Sequence, residues 1–251
     1  METLGEKLRR LADLYETPAF LADDPSGFMH RFTNVRDAEV VAFISANLAF
    51  GRRTQILAHL EQIFGAMQNS PAEWITSDSY LDFFGGGDSS FYRMFSHNDM
   101  ILFCSCLSKM LRGRQSLGEF FFDKWNAASC TPILSAVLAD AFPKNCKIIS
   151  HGKNSAAKRL QLLLRWLVRK NSPVDLGLWT WFSAKNLLLP LDTHVMQQAT
   201  KLGLIQKTAS GKIPAPSLRL AQSLTAKLSE FFPNDPVRAD YALFGLGAIG
   251  E

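Results

Sequence analysis

The stretch Leu189-Pro190-Leu191-Asp192-Thr193-His194-Val195, which continues to Leu202-Gly203-Leu204, predicts where one helix begins and ends. Proline cannot continue a preceding helix, and glycine accepts the left-handed conformation in which many helices end. Asp192 therefore stands at the N-cap or beside it, where unpaired amides and the helix dipole favour an ionised carboxylate. A purely structural cap is the simplest interpretation of this aspartate, and a catalytic carboxylate is the alternative.

Apolar residues recur at helical spacing along most of the chain, beginning with the leucines of residues 2–15. Residues 37–53 are acidic at the start, basic at the end and apolar nearly all round, which predicts a helix at the centre of the core. No segment shows the sustained period-two alternation of paired strands. We therefore expect an all-α fold, with two helical halves that flank a cleft.

The chain of 251 residues, 47% of them hydrophobic, can form one large or two small domains. We expect a single helical unit over residues 1–251, with subdomains at about 30–150 and about 151–251, the latter joined by the N-terminal helix. No leader peptide and no run of about 18 apolar residues is visible, which predicts a cytoplasmic protein without a membrane span. The net charge of +4 is compatible with nucleic acid.

Cysteine spacing gives no sign of a metal site. The sequence has no CxxC pair and none of the Cys/His spacings typical of zinc or iron–sulfur sites. We therefore expect reduced thiols, mostly in the core, and neither a metal nor another cofactor. The four cysteines are Cys104, Cys106, Cys130 and Cys146.

Residues 155–169 predict a helix with a leucine stripe on one side and cations on another. Lys158, Arg165 and Arg169 stand at positions i, i+7 and i+11, so they share one face. Three cations on one face either keep a helix soluble or line a groove for nucleic acid, and the pattern allows both.

A second basic site is predicted at the corner that holds Arg52 and Arg53, directly before a helix expected from Thr54 to about Met67. Two guanidiniums beside a helix N-terminus suit a phosphate, although a solvated turn has the same composition. Further helix starts, at Ser116 and at Thr131-Pro132, are expected to be scaffold.

The string around Asp192 resembles the catalytic segment of the helix-hairpin-helix DNA glycosylases, the endonuclease III superfamily, in which a Val-Asp-Thr-His-type string carries an essential aspartate. Over most of its length the chain resembles the bacterial family called domain of unknown function 2400, and more distantly the archaeal 8-oxoguanine glycosylases. Two features depart from the superfamily. Val174 stands where the hairpin lysine is expected, and no cysteines follow Asp192, so no iron–sulfur cluster is expected.

The archaeal resemblance supplies another lysine. Those enzymes carry their catalytic lysine on an upstream leucine-rich helix with a second lysine two turns later, and Lys158 and Arg165 resemble that pair. The resemblance thus implies double-stranded DNA as partner, Lys158 as nucleophile and Asp192 as its carboxylate partner. The remaining implied roles are DNA contacts at Arg165, Arg169, Arg52, Arg53 and His194, and stacking on an extruded base at Trp166 or Trp179.

Only one of Trp179 and Trp181 is expected in such a pocket, because residues two apart cannot share one side of a helix. Three functions are compatible with the sequence: a DNA-repair glycosylase with or without AP-lyase activity, a non-catalytic nucleic-acid-binding protein that has kept the fold, and a protein-interaction scaffold. The catalytic hypothesis requires Lys158 and Asp192 to face one cleft within about one or two hydrogen-bond lengths.

Overall fold

The computed structural model describes residues 2–128 and 133–249, and this part of the chain is mostly helical. The all-α fold class is therefore confirmed. The helices are α1 (Leu4–Tyr15), α2 (Val35–Leu48), α3 (Arg53–Ala66), α4 (Pro71–Thr76), α5 (Tyr80–Phe84), α6 (His97–Leu111), α7 (Leu117–Asn126), α8 (Leu134–Asp140), α9 (Lys158–Val168), α10 (Thr193–Lys201), α11 (Leu218–Leu228) and α12 (Ala239–Ile249).

Short 3-10 helices and one hairpin complete the secondary structure. The 3-10 helices span Pro18–Asp23, Pro25–Arg31, Ala184–Asn186 and Pro236–Arg238. Strands β1 (Ser90–Tyr92) and β2 (Phe95–Ser96) pair antiparallel. None of the helices in the described ranges combines the length and apolar character that a membrane crossing needs.

The chain divides into two compact units. The central unit comprises Leu21–His151, and the terminal unit comprises the chain up to Phe20 and again from Gly152 onward. Helix α1 therefore belongs to the same unit as α9 to α12.

In the central unit, helix α2 lies in the core, as its apolar composition predicts. Every residue from Ala38 to Leu48 is buried. One of these is Glu39, whose carboxylate accepts hydrogen bonds from the backbone N–H groups of Leu117 (2.7 Å) and Gly118 (3.0 Å). The buried charge thus caps the first turn of α7, which satisfies both the carboxylate and two otherwise unpaired donors.

The terminal unit is organised around α12, which packs against α1 on one side and α10 on another. Glycines on α12 make the close approach possible. A Cβ atom at Gly245 would lie 2.3 Å from the ring of Tyr15, and one at Gly247 would lie 2.6 Å from the Cβ of His194. Asp240 lies on the first turn of the same helix, so the packing of α12 fixes the position of that carboxylate.

Sequence periodicity missed the shortest elements. Helices α4 and α5 and strands β1 and β2 each span only two to six residues, too few for a repeat of 3.6 or 2 to show. The helix predicted from Thr131-Pro132 is observed as α8 from Leu134, and the predicted start lies outside the described residues.

Candidate functional site

Asp192 caps α10. Its backbone is extended, and its Oδ1 accepts a hydrogen bond of 2.8 Å from the backbone N–H of Val195. The apolar run before it is anchored in the interior, where the N–H of Leu189 donates to the hydroxyl of Thr225. The cap therefore fixes one carboxylate oxygen and leaves Oδ2 facing away from the helix amide.

Lys158 is the first residue of α9, and its side chain meets this carboxylate. Its Nζ lies 3.7 Å from Oδ2 of Asp192, and the two side chains are 32% and 15% exposed. Two residues that are 34 positions apart in the sequence are thus neighbours at one partly open site. The distance that the catalytic hypothesis requires is present, whereas the catalytic role itself stays a prediction.

The backbone that leads into Lys158 is unusual. Ala157 occupies the left-handed region, with φ +46° and ψ +43°, and it provides no side-chain cap for α9. Its N–H donates to the Ser155 hydroxyl at 3.1 Å. A left-handed alanine costs roughly 1 kcal/mol, so the surrounding packing must hold this turn in place.

Asp240 lies next to the pair. Its carboxylate is buried and bonded to the guanidinium of Arg165. Burial raises the pKa of Asp240 to about 6, the negative charge of Asp192 adds to that rise, and Arg165 and Lys158 oppose it. A second carboxyl thus interacts electrostatically with the Lys158–Asp192 pair.

Arg165 and Arg169 point into the interior and are 3% and 2% exposed. Arg165 binds Asp175 and Asp240, and Arg169 binds Asp175 from the other side. The DNA-contact role predicted for the two arginines is wrong in this structure, because carboxylates surround both guanidiniums and water or phosphate has no access. A buried charge requires such partners, since an unpaired ion in the interior is strongly unfavourable.

The ion pairs continue to the N-terminal helix. Arg169 also contacts Asp235 (2.7 Å) and Glu16 (2.8 Å), the residue that follows α1. Glu16 in turn binds Arg238, which reaches Asp13 on α1. Burial alone would raise the pKa of Glu16, but the guanidiniums of Arg169 and Arg238 lower it overall. We call this set of ion pairs, from Arg165 to Asp13, the buried ion network.

The tryptophans predicted to stack on a base are both in the core. Trp166 is fully buried and Trp179 is 1% exposed, so neither offers a face to a ligand, and the base-pocket prediction is wrong for both in this structure. The helical argument about Trp179 and Trp181 also fails, because the two residues lie outside any α-helix. Their rings stack instead, with centroids 5.4 Å apart and an angle of 22°.

The other predicted contact residues are exposed. His194 lies on the first turn of α10, where its ring meets Phe244 edge-on at 6.1 Å. Arg52 and Arg53 are exposed at the start of α3 in the central unit, with Arg52 as the N-cap. Their exposure is compatible with a phosphate contact, which stays a prediction.

Three of the four cysteines, Cys104, Cys106 and Cys146, are buried free thiols, as expected, and Cys130 lies outside the described residues. Burial raises the pKa of Cys146 to about 11. These thiols are therefore poor nucleophiles at neutral pH.

The family described as "Protein of unknown function (DUF2400)" matches residues 24–249, which is most of the chain. The chain belongs to this family. No curated protein and no solved structure matches it. The family match includes Lys158, Asp192 and Asp240, whereas α1 and Glu16 precede the matched range.

Charge is distributed unevenly between the two units of this family member. The terminal unit has 16 Lys and Arg against 10 Asp and Glu, a net charge of +6, and the central unit has 11 against 13, a net charge of −2. Within residues 152–229 there are 12 basic residues and two acidic ones, Asp175 and Asp192. This scarcity marks the two aspartates in the sequence itself, and both proved to hold cations of α9.

Proposed function

We propose that this protein is a DNA-repair glycosylase with AP-lyase activity, which attacks a damaged nucleotide with Lys158 and uses Asp192 as the partner carboxylate. The proposal depends on one observation, the 3.7 Å approach of Lys158 Nζ to Asp192 Oδ2 at a partly open site. The chain's resemblance to the helix-hairpin-helix glycosylases, which have a lysine and an aspartate in these roles, supports it.

The proposed chemistry needs a neutral amine at Lys158. Asp192 Oδ2 accepts a proton from the Lys158 ammonium, and the freed lone pair attacks C1′ of an extruded nucleotide. The bond from C1′ to the base breaks, and the base leaves with that electron pair and takes up a proton. Opening of the sugar ring then gives a Schiff base between Nζ and C1′, from which loss of the C2′ proton breaks the C3′–O bond.

Asp192 is suited to a second task in the same reaction. Positive charge develops on the sugar as the base departs, and a fixed carboxylate stabilises it. The cap bond from Val195 to Oδ1 holds the carboxylate in place before substrate arrives. Preorganisation of this kind lowers the barrier because the group does not have to reorient during the reaction.

The positive charge of the terminal unit supports DNA as the substrate. Lys153, Lys201, Lys207 and Lys212 are all exposed. The loop that contains Lys153 is tied to the start of α11 by a hydrogen bond of 2.9 Å from Leu218 N–H to the Asn154 carbonyl. Exposed cations on the unit that carries Lys158 attract a phosphate backbone and release its counterions.

Borohydride trapping tests the proposal. Duplexes with an abasic site or with one of a panel of damaged bases are incubated with the protein, and borohydride reduces any Schiff base to a stable adduct. We expect an adduct with the natural chain and none with Lys158→Gln. Lys158→Arg should also form none, because it keeps the charge but lacks the primary amine. Lys185→Gln is the matched control, since it removes an exposed lysine of the same unit.

Asp192→Asn separates charge from capping. Asparagine caps a helix about as well as aspartate, so the fold should be kept while the proton acceptor is lost. We expect trapping to slow by about a hundredfold or more. If the folded natural chain forms no adduct and cleaves no strand across the panel, the proposal is wrong. Salt-dependent duplex binding that Lys158→Gln leaves unchanged would then identify a non-catalytic binding protein.

A further inference from the structure

A cavity of about 540 Å³ opens at the C-terminal end of α9, and Trp181 and Phe182 form the aromatic part of its wall. This volume is within the range of about 300–1,000 Å³ that small-molecule sites have. Val168, the last residue of α9, also lines the cavity. It is ten residues from Lys158, a separation of about 15 Å along the helix. The cavity is therefore a separate site from the Lys158–Asp192 pair.

The aromatic wall of the cavity is held in a fixed position. Trp181 is half-buried, stacks on the fully buried Trp179 and meets Phe182 at an angle of 80°. The N–H of Trp179 donates to the Leu167 carbonyl at 2.7 Å, which joins this segment to the last turn of α9. A ring fixed in this way can stack on a flat ligand at little cost in conformational entropy.

Polar side chains also line the cavity. Asn171, Thr180 and Asn234 line the cavity, and their side chains make no hydrogen bond to any residue within the described ranges. Amides and hydroxyls both donate and accept, as the edge of a nucleobase requires. An apolar ligand would leave these groups without partners, so a heterocycle with donors and acceptors fits the lining better.

The charges at the rim favour a phosphate. Lys170 is exposed, lines the cavity and forms no ion pair with the part of the chain that the structure describes. The carboxylate at the rim, Asp235, is already bound by Arg169, with both oxygens 2.9 Å from Nε. The Asp235 charge is therefore offset, while the Lys170 ammonium is available to an anion.

We propose that this cavity binds one nucleotide of a single-stranded segment, with its base stacked on Trp181 and its phosphate near Lys170. The proposal extends the nucleic-acid substrate proposed above but does not depend on the reaction of Lys158. Stacked nucleotides are about 3.4 Å apart along a strand, so the separation of about 15 Å corresponds to roughly four to five nucleotides.

A fluorescence titration tests the cavity. A ten-nucleotide single strand containing 2-aminopurine is titrated with protein, and stacking on Trp181 should quench the fluorescent base. We expect Trp181→Ala to weaken binding about tenfold or more, since base–aromatic stacking contributes that much per base. Trp181→Phe, which keeps a ring, should bind within about threefold of the natural chain. Phe122→Ala is the matched control, because it removes a 41% exposed ring from the central unit.

A second variant tests the cavity with a substitution that should not affect folding. Lys170 is exposed, so Lys170→Gln should leave thermal unfolding unchanged while it weakens binding several-fold and reduces its salt dependence. If folded Trp181→Ala and Lys170→Gln both bind the single strand as tightly as the natural chain does, the cavity proposal is wrong.

Trapping on a fully duplex abasic site separates the two proposals. Unchanged trapping by Trp181→Ala, together with weakened single-strand binding, supports the cavity as a distinct site. If the natural chain traps the duplex but does not quench the single strand, the cavity proposal falls and the proposed reaction stands. Quenching that depends on Trp181 without any trapping supports the cavity and overturns the proposed reaction.

Discussion

The two ends of α9 carry the same kind of residue in different surroundings. Lys158 begins the helix, is one-third exposed and faces a single carboxylate. Arg165, two turns later, is 3% exposed and lies between two carboxylates, and Arg169 continues the same arrangement. One face of α9 thus carries a cation at a partly open site near its start and two cations of the buried ion network near its end.

This difference separates reactivity from stability. A lysine at a partly open site can reach a substrate, whereas a guanidinium in the interior stays charged and stabilises the fold. Burial alone would lower the pKa of Arg165, but Tyr241, Asp175 and Asp240 raise it overall. Substitutions at the two ends of α9 should therefore affect different properties of the protein.

Arg165→Gln should lower stability far more than Lys158→Gln does. Arg165→Gln leaves Asp175 and Asp240 in the interior with one cation fewer, which should lower the free energy of unfolding by about 3–5 kcal/mol. Lys158→Gln should lower it by less than about 1 kcal/mol, because its ion pair is partly exposed. Urea denaturation measures both. Equal losses of stability would show that the cations at the two ends of α9 do not differ in burial.

Gly247→Ala should displace α10 and, with it, the carboxylate of Asp192. The new Cβ would lie 2.6 Å from the Cβ of His194 and push α10, whose N-cap is Asp192, away from α12. We expect a loss of about 1–3 kcal/mol in unfolding free energy, together with slower trapping. Gly65→Ala is the control, because a Cβ at this α3 position meets nothing within 4 Å. A folded Gly247→Ala with natural stability and activity would contradict the packing described.

Asp240 should make stability depend on pH in a particular direction. Its pKa rises from 3.8 to about 6 on folding, so the folded protein takes up this proton at a higher pH than the unfolded chain does. The contribution of Asp240 is therefore fully present below about pH 4 and is lost as pH rises through 6. We therefore compare the unfolding free energies of the natural chain and Asp240→Asn. The difference should shift by about 2 kcal/mol in favour of the natural chain as pH falls from 7 to 4.

Glu16 should make stability depend on pH in the opposite direction. Its pKa is lowered on folding, so its contribution is present above the unfolded value and is lost as pH falls through the folded one. The advantage of the natural chain over Glu16→Gln should therefore shrink in acid. Urea denaturation at several pH values compares the two variants. A shift of the same sign in both would contradict the assignment of one raised and one lowered pKa.

Ala157→Gly should have the smallest effect. Glycine adopts the left-handed region without the steric cost of alanine, so we expect a gain of about 0.5–1 kcal/mol in unfolding free energy. Ala226→Gly is the control: it lies within α11, where glycine should cost about 1 kcal/mol. Thermal unfolding measures both. If Ala157→Gly is as destabilising as the control, the turn before Lys158 is not strained.

Sequence patterns predicted the parts of this site that depend on neighbouring residues. The helix that begins after Asp192, the carboxylate at its cap and the leucine stripe of α9 all follow from local spacing and capping rules. The approach of Lys158 to Asp192 was expected from a family resemblance, because no local rule joins residues on different helices. Asp240 was missed as a site residue, since a single aspartate in an apolar segment has no distinctive spacing.

The sequence by itself determined the helical class, the capped aspartate and which charges share a face of α9. Only the tertiary structure decided how deeply each charged side chain is buried. The face that predicted a groove is covered by Glu16 from one end of the chain and by Asp235 and Asp240 from the other, so its arginines are interior while Lys158 stays accessible. The physical reason is that helical periodicity gives the direction of a side chain, whereas burial depends on distant segments that pack over it.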